Sequence, residues 1–505
     1  MDFLANLSAG FSAVLAPAVL LAMVLGTVLG VLIGALPGLS ATMGIAVLIP
    51  FTFGMEPLIA LGIVAGIYNG AMYGGSIPAI LLRIPGTPAG VATVFDGYPM
   101  TRQGRSRLAL RVSLYSSAFG SFVSAVCLIL LSPPLATLSL KFGPSQYFWL
   151  AIFGMFCITS VLGGSLAKGM IATCFGILLG LVGIDQITGA ERYTFGHVEL
   201  ISGFSIIVVL TGLYAIPPAL DLAEKALHVS SADLAGGEAR DDGFRLRSLL
   251  PLWLRSSAIG VGVGIIPGAG GNIAAIISWN EARRQALPDE KFGEGEPKGV
   301  AAAECANNAD TAATLIPALT LGVPGSAVAA VIMGVLLVHG MRPGPALFRD
   351  TAEITYGFMI AMGITALMMV PVGAFGSRLF INALRLPPLI LASGIVVLTS
   401  IGVYTVGNSM AEVWIMLGFG LIGYAMEKLD IPTAPTVLAI ILGPMAEAEM
   451  RRALLISGND PGIFFSGVVN WIFIALIGAM LALPMLRRRK AAAGGAGPDD
   501  KEPQQ

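Results

Sequence analysis

Hydrophobic residues in this chain run in long, almost unbroken blocks instead of alternating with polar ones at a strand period. No Asp, Glu, Lys or Arg occurs in residues 3–55, 57–82, 112–140, 256–280, 311–341, 354–377, 386–411 or 461–486. A helix crosses a bilayer in about 20 apolar residues, and each block reaches or exceeds that length. Lipid offers no partner to backbone N–H and C=O groups, so blocks of this kind must be helical. The pattern predicts an all-α polytopic membrane protein with about 10 to 12 transmembrane helices, allowing for paired or broken helices within a block.

The blocks also repeat. Gly30-Val-Leu-Ile-Gly-Ala-Leu-Pro37-Gly38 matches Gly260-Val-Gly-Val-Gly-Ile-Ile-Pro267-Gly268. Downstream, Asn69, Ile77-Pro78-Ala79, Leu82 and Pro85-Gly86 line up in the same order with Asn308, Ile316-Pro317-Ala318, Leu321 and Pro324-Gly325. The charged loop 281–298, whose counterpart at 53–56 is short, absorbs the difference in spacing. Basic residues swap ends between the halves. The late loop of the first carries Arg102, Arg105, Arg107 and Arg111, and the early loop of the second carries Arg283, Arg284, Lys291 and Lys298. Two repeats inserted in opposite senses give this swap. The expected division is a first repeat over 1–220, a polar linker over 221–247, a second repeat with C-terminal scaffold helices over 248–486, and a disordered tail over 487–505.

Composition agrees: 55% of residues are hydrophobic and 12% charged, against about 25% charged in soluble domains. A net charge of −1 gives no reason to expect nucleic acid as a partner; the lipid bilayer is the partner expected. The run Arg487-Arg488-Arg489-Lys490 after the last block places the C-terminus in the cytoplasm by the positive-inside rule. The N-terminus, with Asp2 and no Lys or Arg, is expected outside, and without a basic n-region no cleaved signal peptide is expected. Cys127, Cys157, Cys174 and Cys305 stand singly and read as packing residues, and the three histidines form no metal-ligand cluster.

Candidate chemistry lies at four matched breaks. Pro37-Gly38, Pro85-Gly86, Pro267-Gly268 and Pro324-Gly325 interrupt apolar segments at equivalent places. Proline removes a helix donor and glycine permits positive φ, so each joint should unwind and bare amides at the next helix start. Such a start attracts anions, and paired interruptions of this kind mark transporter binding sites. Small polar residues accompany them: Ser40 and Thr42, Thr87, Asn272 and Ser326, with Asn69 and Ser76 in the first-half polar lobe. These residues and the joints form the expected substrate site for a small carboxylate, and Gly86→Val and Gly325→Val are each expected to impair binding. Joints that merely kink helices, with Ser and Thr bonded to their own backbone, are the alternative.

In Glu304-Cys-Ala-Asn307-Asn308-Ala-Asp310-Thr311-Ala-Ala-Thr314, helical spacing puts Asn307, Asp310, Thr311 and Thr314 on one face. With Asn308 these are the expected ion-coupling residues, their oxygens suited to Na⁺, or Asp310 to a proton. Gly26, Gly30 and Gly34, at four-residue spacing, read as a helix-packing face. No GxxxxGK[ST] phosphate cradle and no HExxH occur, and no His lies in the joints. The chain therefore reads as neither a pump nor an enzyme, and no catalytic residue or cofactor is expected beyond Na⁺ as coupling ion. A channel or a structural membrane subunit is the alternative to a carrier.

Gly34-Ala-Leu-Pro-Gly-Leu39, Tyr68-Asn-Gly-Ala-Met-Tyr-Gly-Gly-Ser-Ile-Pro-Ala79, Ile84-Pro-Gly-Thr-Pro88, Ile266-Pro-Gly-Ala-Gly270, Glu304-Cys-Ala-Asn-Asn-Ala-Asp310 and Leu321-Gly-Val-Pro-Gly-Ser326 resemble the large membrane subunit of tripartite tricarboxylate transporters. The resemblance runs from about residue 20 to about 486. It implies a secondary transporter in a bacterial inner membrane that works with a small membrane subunit and a periplasmic solute-binding protein. Na⁺ or protons would drive uptake of tricarboxylates, dicarboxylates or aromatic acids. It also implies that the Pro-Gly regions of both halves form the substrate and ion site.

Overall fold

Prolines and glycines cut the apolar blocks into helices of uneven length in the computed structural model, which describes residues 3–36, 38–85, 87, 90–162, 165–185, 188–226, 244–268, 270–383 and 387–493. The first half contains α1 (Phe3–Val14), α2 (Pro17–Ala35), α3 (Ala41–Thr52), α4 (Pro57–Gly74), α5 (Ser76–Leu82), α6 (Val91–Arg102) and α7 (Ser106–Ser139). Then come α8 (Pro144–Leu162), α9 (Leu166–Gly180), a hairpin of β1 (Gly183–Ile184) and β2 (Glu191–Arg192), and α10 (Ile206–Ala226). The second half contains α11 (Leu250–Gly264), α12 (Gly270–Arg284), α13 (Pro297–Ala313), α14 (Leu315–Leu321), α15 (Ala327–Val338), α16 (Ala346–Asp350) and α17 (Ala352–Ala383). Last are α18 (Pro388–Gly407), α19 (Met410–Lys428), α20 (Ala434–Ile456) and α21 (Val468–Ala493).

Among the described residues, 7 helical stretches are long and apolar enough to cross a membrane, and several shorter apolar helices accompany them. Some of the sequence blocks are thus divided into pieces too short to cross alone. Block 3–55, for example, splits into α1, α2 and α3 at Pro17 and around Gly38. Most of the expected linker (227–243) and of the expected tail (494–505) lies outside the described residues, but residues 221–226 continue α10 and residues 487–493 continue α21, so those ends are helix.

The order of the six helices α2 to α7 recurs from α11 to α17 with the short α16 inserted, and residue contacts give the direction of several pairs. Within the first half α2 and α4 run parallel, with Gly26 against Ile63, Gly30 against Ile67 and Gly34 against Ala71. The same holds for α11 and α13, where Gly260 meets Ala306 and Gly264 meets Asp310. The corresponding pairs α4 with α13 and α7 with α17 are antiparallel. Tyr68 and Asn69 on α4 meet Thr314 and Thr311 in reversed order, and on α7 and α17 Leu114 faces Gly373 while Ala125 faces Gly363. Each half lends a long helix to the other: α7 packs along α13 and α17 along α4. The helices that carry the polar residues are therefore enclosed between both halves.

Glycine makes the parallel contacts possible. A methyl group on Gly34 would lie 2.2 Å from the Ala71 carbonyl oxygen, and one on Gly26 would lie 2.3 Å from that of Ile63. The expected packing face is thus the α2–α4 contact. Overpacking a close contact costs about 1–3 kcal/mol, and this one is backbone to backbone, so it cannot relax by a rotamer change. Gly34→Val should lower stability in denaturant titrations of the micellar protein by at least about 2 kcal/mol. Gly394→Val, at a position with nothing within 4 Å, should leave it unchanged.

Candidate substrate and ion site

Polar residues collect where α4 and α13 cross. Asn69 is fully buried and bound on every side: its Nδ2 donates to the Met362 carbonyl at 2.8 Å and to Thr365 Oγ1 at 2.8 Å, and its Oδ1 accepts from Thr311 Oγ1 at 3.3 Å. One turn away, Tyr68 Oη and Thr314 Oγ1 share a hydrogen bond of 3.2 Å, and Ser326 Oγ donates to Thr314 at 3.4 Å. Asn69 and Thr311 thus tie the two halves together, with their polar groups consumed in doing so.

The Pro-Gly joints behave in two ways. Gly38 and Gly268, at matching positions, have φ of +86° and +85°, the left-handed conformation expected of an unwound break. Gly325 does not have positive φ; its constraint is space. A methyl group there would lie 2.9 Å from the Gly264 carbonyl oxygen and 2.9 Å from Thr314 Cα. The two second-half joints meet directly: Gly268 N donates to Gly325 O at 2.8 Å, and Gly325 N donates to Thr314 O at 3.2 Å. Cys157 on α8, read from sequence as a packing residue, is buried there and its thiol donates to the Pro267 carbonyl.

In the first half Gly38 lies beside Leu222 of α10. Ser40 caps α3 by accepting from Met43 N, and Thr42 is buried on the same helix. Pro85 is exposed, and Thr87 is buried beside Gly75, at the α4–α5 break, with its hydroxyl unpartnered. Ser76 is engaged with Ser113 and the Tyr73 carbonyl. Pro37 and Gly86 lie outside the described residues. Asn272 is exposed on α12.

Asp310 is the centre of the second-half cluster. It is 2% exposed, has no salt bridge among the described residues, and its Oδ1 has no hydrogen-bond partner. The first turn of α12 lies beside this carboxylate, where a methyl group on Gly271 would approach Asp310 Oδ2. The start of α12 is one of the helix starts that follow a Pro-Gly joint, so the anion beside it in this structure is the protein's own. Asn307 Oδ1, also buried and unpartnered, faces the same glycine: a methyl group on Gly271 would lie 2.5 Å from it and 3.4 Å from Asp310 Oδ2. Unpartnered oxygens of a carboxylate and an amide around one small cradle are donors suited to a hard cation.

Two further buried carboxylates are not among the expected site residues. Glu304, two turns before Asp310, accepts from Thr93, from Ser117 at 3.1 Å and from Asn308 Nδ2 at 3.4 Å. Asn308 also donates to Ser117 at 2.9 Å, so its amide group serves Glu304 and α7, not Asp310. Asp96 on α6 accepts from the amides of Gly293, Gly295 and Glu296 at 2.7–3.1 Å and from Trp279 Nε1 at 2.8 Å, which clamps the early loop of the second half to the first. A lone acid in an apolar run was the available signal for both.

Comparison with known proteins shows the family. The Tripartite tricarboxylate transporter TctA family matches residues 20–438, which takes in every joint described above but stops short of the last span near 486. A relative from Agrobacterium vitis, described as "Uncharacterized 52.8 kDa protein in TAR-I ttuC' 3'region", is 33% identical over 97% of this chain and 98% of its own length. A second from the same organism, "Uncharacterized protein in TAR-II ttuC' 3'region", is 31% identical over 45% of this chain and 96% of its own length. No solved structure matches the chain. By the extent of these matches and the multi-pass helical fold, the chain belongs to the tripartite tricarboxylate transporter TctA family.

Proposed function

We propose that this chain is the membrane subunit through which small tricarboxylates or dicarboxylates are imported, as a symporter driven by Na⁺ or protons. The observation that carries the reading is the contact between Asp310 and the first turn of α12. A substrate carboxylate and the Asp310 carboxylate compete for the same amides and repel each other. A cation that neutralises Asp310, with Asn307 Oδ1 as a second ligand for Na⁺, releases those amides for the substrate. Ion and substrate then bind together or not at all, which is the requirement of symport. The buried position of Asn307, Thr311 and Thr314, none more than 1% exposed, means that a solute reaches them only after a rearrangement.

Charge sets the orientation. Gln103 donates to the Glu294 carbonyl at 2.6 Å and Arg105 to the Gly295 carbonyl at 3.3 Å, so the basic loops of both halves share one end of the bundle. We assign that end to the cytoplasm of a bacterial cell, and the C-terminus with it. The opposite end then meets a periplasmic solute-binding protein that delivers substrate, with a small membrane subunit completing the transporter. The test is uptake of labelled carboxylates by vesicles holding the reconstituted assembly. Uptake that saturates and stops when both the Na⁺ and proton gradients are dissipated supports the reading. Non-saturating flux without a gradient assigns a pore instead.

A further inference from the structure

Arginine gathers around one open groove that the transport reading does not use. Arg83, at the end of α5, Arg102, at the end of α6, and Arg283, in the last turn of α12, line a space of about 820 Å³ together with Phe95, Tyr98 and Trp279. None of the three arginines has a carboxylate partner among the described residues. Instead, two of them sit over rings, Arg83 at 5.9 Å from the centre of Tyr98 and Arg283 at 5.5 Å from Trp279. Three unpaired guanidinium groups in one concavity repel one another and are poised for a shared anion.

The groove continues into apolar surface. Val91, Phe95, Tyr98 and Arg102 follow one another along a single face of α6, with Val91 38% and Phe95 39% exposed. Ile276, Trp279 and Arg283 do the same along α12, with Ile276 40% exposed. Each face therefore runs from apolar residues to arginine, with an aromatic ring between. A dissolved carboxylate would use the arginines alone. A phospholipid uses the whole surface: its phosphate meets the guanidinium groups, its glycerol region lies at the aromatic rings, and its acyl chains follow Val91, Phe95 and Ile276.

We propose that this groove is a binding site for an anionic phospholipid, with Arg83, Arg102 and Arg283 holding the headgroup phosphate. The inference depends on the membrane placement of α6 and α12 and not on the transport reading. Its occupant has a route to the transport machinery, because Arg83 caps α5 with φ of 60° just before Pro85, and Trp279 bonds Asp96.

The test uses the full chain in phosphatidylcholine vesicles containing acyl-brominated phosphatidylglycerol or acyl-brominated phosphatidylcholine at equal mole fraction. Quenching at Trp279, taken as the signal lost in Trp279→Phe, should be stronger with the glycerol lipid. Each arginine near a membrane surface adds about fivefold to affinity for anionic lipid. Arg83→Gln, Arg102→Gln and Arg283→Gln should therefore each reduce the preference about fivefold. Arg283→Lys, which keeps the charge, and Arg107→Gln, which does not line the groove, should retain most of it. Phosphatidylglycerol retained through purification and counted by native mass spectrometry gives a second readout, independent of Trp279→Phe folding. Equal quenching by both lipids, a preference that survives loss of all three arginines, or one abolished by millimolar citrate would overturn the proposal; the last assigns the groove to free carboxylates.

Discussion

Asp310→Asn protein is expected to reach the membrane at the wild-type level, to unfold no more easily than wild type, and to lose nearly all gradient-driven carboxylate uptake. These outcomes follow from a single buried charge. A carboxylate that is 2% exposed, with one oxygen unpartnered and no salt bridge among the described residues, destabilises the chain that carries it. Asparagine keeps the size of the side chain beside Gly271 and removes the charge, so stability should hold or rise. Uptake should fall by about 100-fold, the upper range of a coupling free energy between two sites. A purely structural aspartate would give the reverse, lower stability and uptake in proportion to the protein that survives. Unchanged uptake with unchanged ion dependence would remove Asp310 from coupling.

The same variant separates the two ions. If Asp310 carries a proton, asparagine imitates the loaded state, and exchange of labelled for unlabelled substrate, which needs no net proton movement, should persist while gradient-driven uptake is lost. If Asp310 carries Na⁺, asparagine removes the charge that holds it. Exchange and uptake should then fall together. Both assays use the same vesicles, so differences in expression cancel.

How much of this was legible in the sequence depended on whether a feature is local. The breaks were legible because proline and glycine act on their own backbone: Gly38 and Gly268 adopt positive φ at the matched positions. The packing role of Gly26, Gly30 and Gly34 was legible from spacing alone. The fates of the polar residues were not. Asn69, Ser76 and Thr311 read as ligands because polarity in an apolar segment demands a partner, but the partners are Thr365, Ser113 and Asn69 itself, from other helices. Helical spacing put Asn307, Asp310, Thr311 and Thr314 on one face, yet the crossing of α4, α12 and α13 divides them: Asn307 and Asp310 face α12, while Thr311 and Thr314 face α4. The meeting of Asp310 with Gly271 depends on the packing angle of two helices, which no sequence pattern encodes.

Gly325→Val is expected to weaken carboxylate binding by about 5- to 150-fold, the equivalent of the 1–3 kcal/mol that overpacking costs. Glycine is required here for a reason different from that at Gly268. Its φ is one that any residue adopts, but its α-carbon is pressed between the Gly264 carbonyl and the backbone of Thr314, each 2.9 Å from where a side chain would begin. A branched side chain must push the α14–α15 joint away from the α11–α12 joint and so break the bond from Gly268 N to Gly325 O. That bond ties the α11–α12 joint to the α14–α15 joint, and without it the first turn of α12 shifts from its place beside Asp310. Gly325→Ala should give a smaller loss in the same direction. Gly264→Val, which would press on Asp310 Oδ1 at 2.9 Å, should impair binding by moving the carboxylate instead of the joint. Equilibrium binding to the purified chain measures all three, with thermal unfolding run in parallel. Wild-type affinity in Gly325→Val, with or without a fall in stability, would mean that the second-half joints kink the helices and take no part in holding substrate.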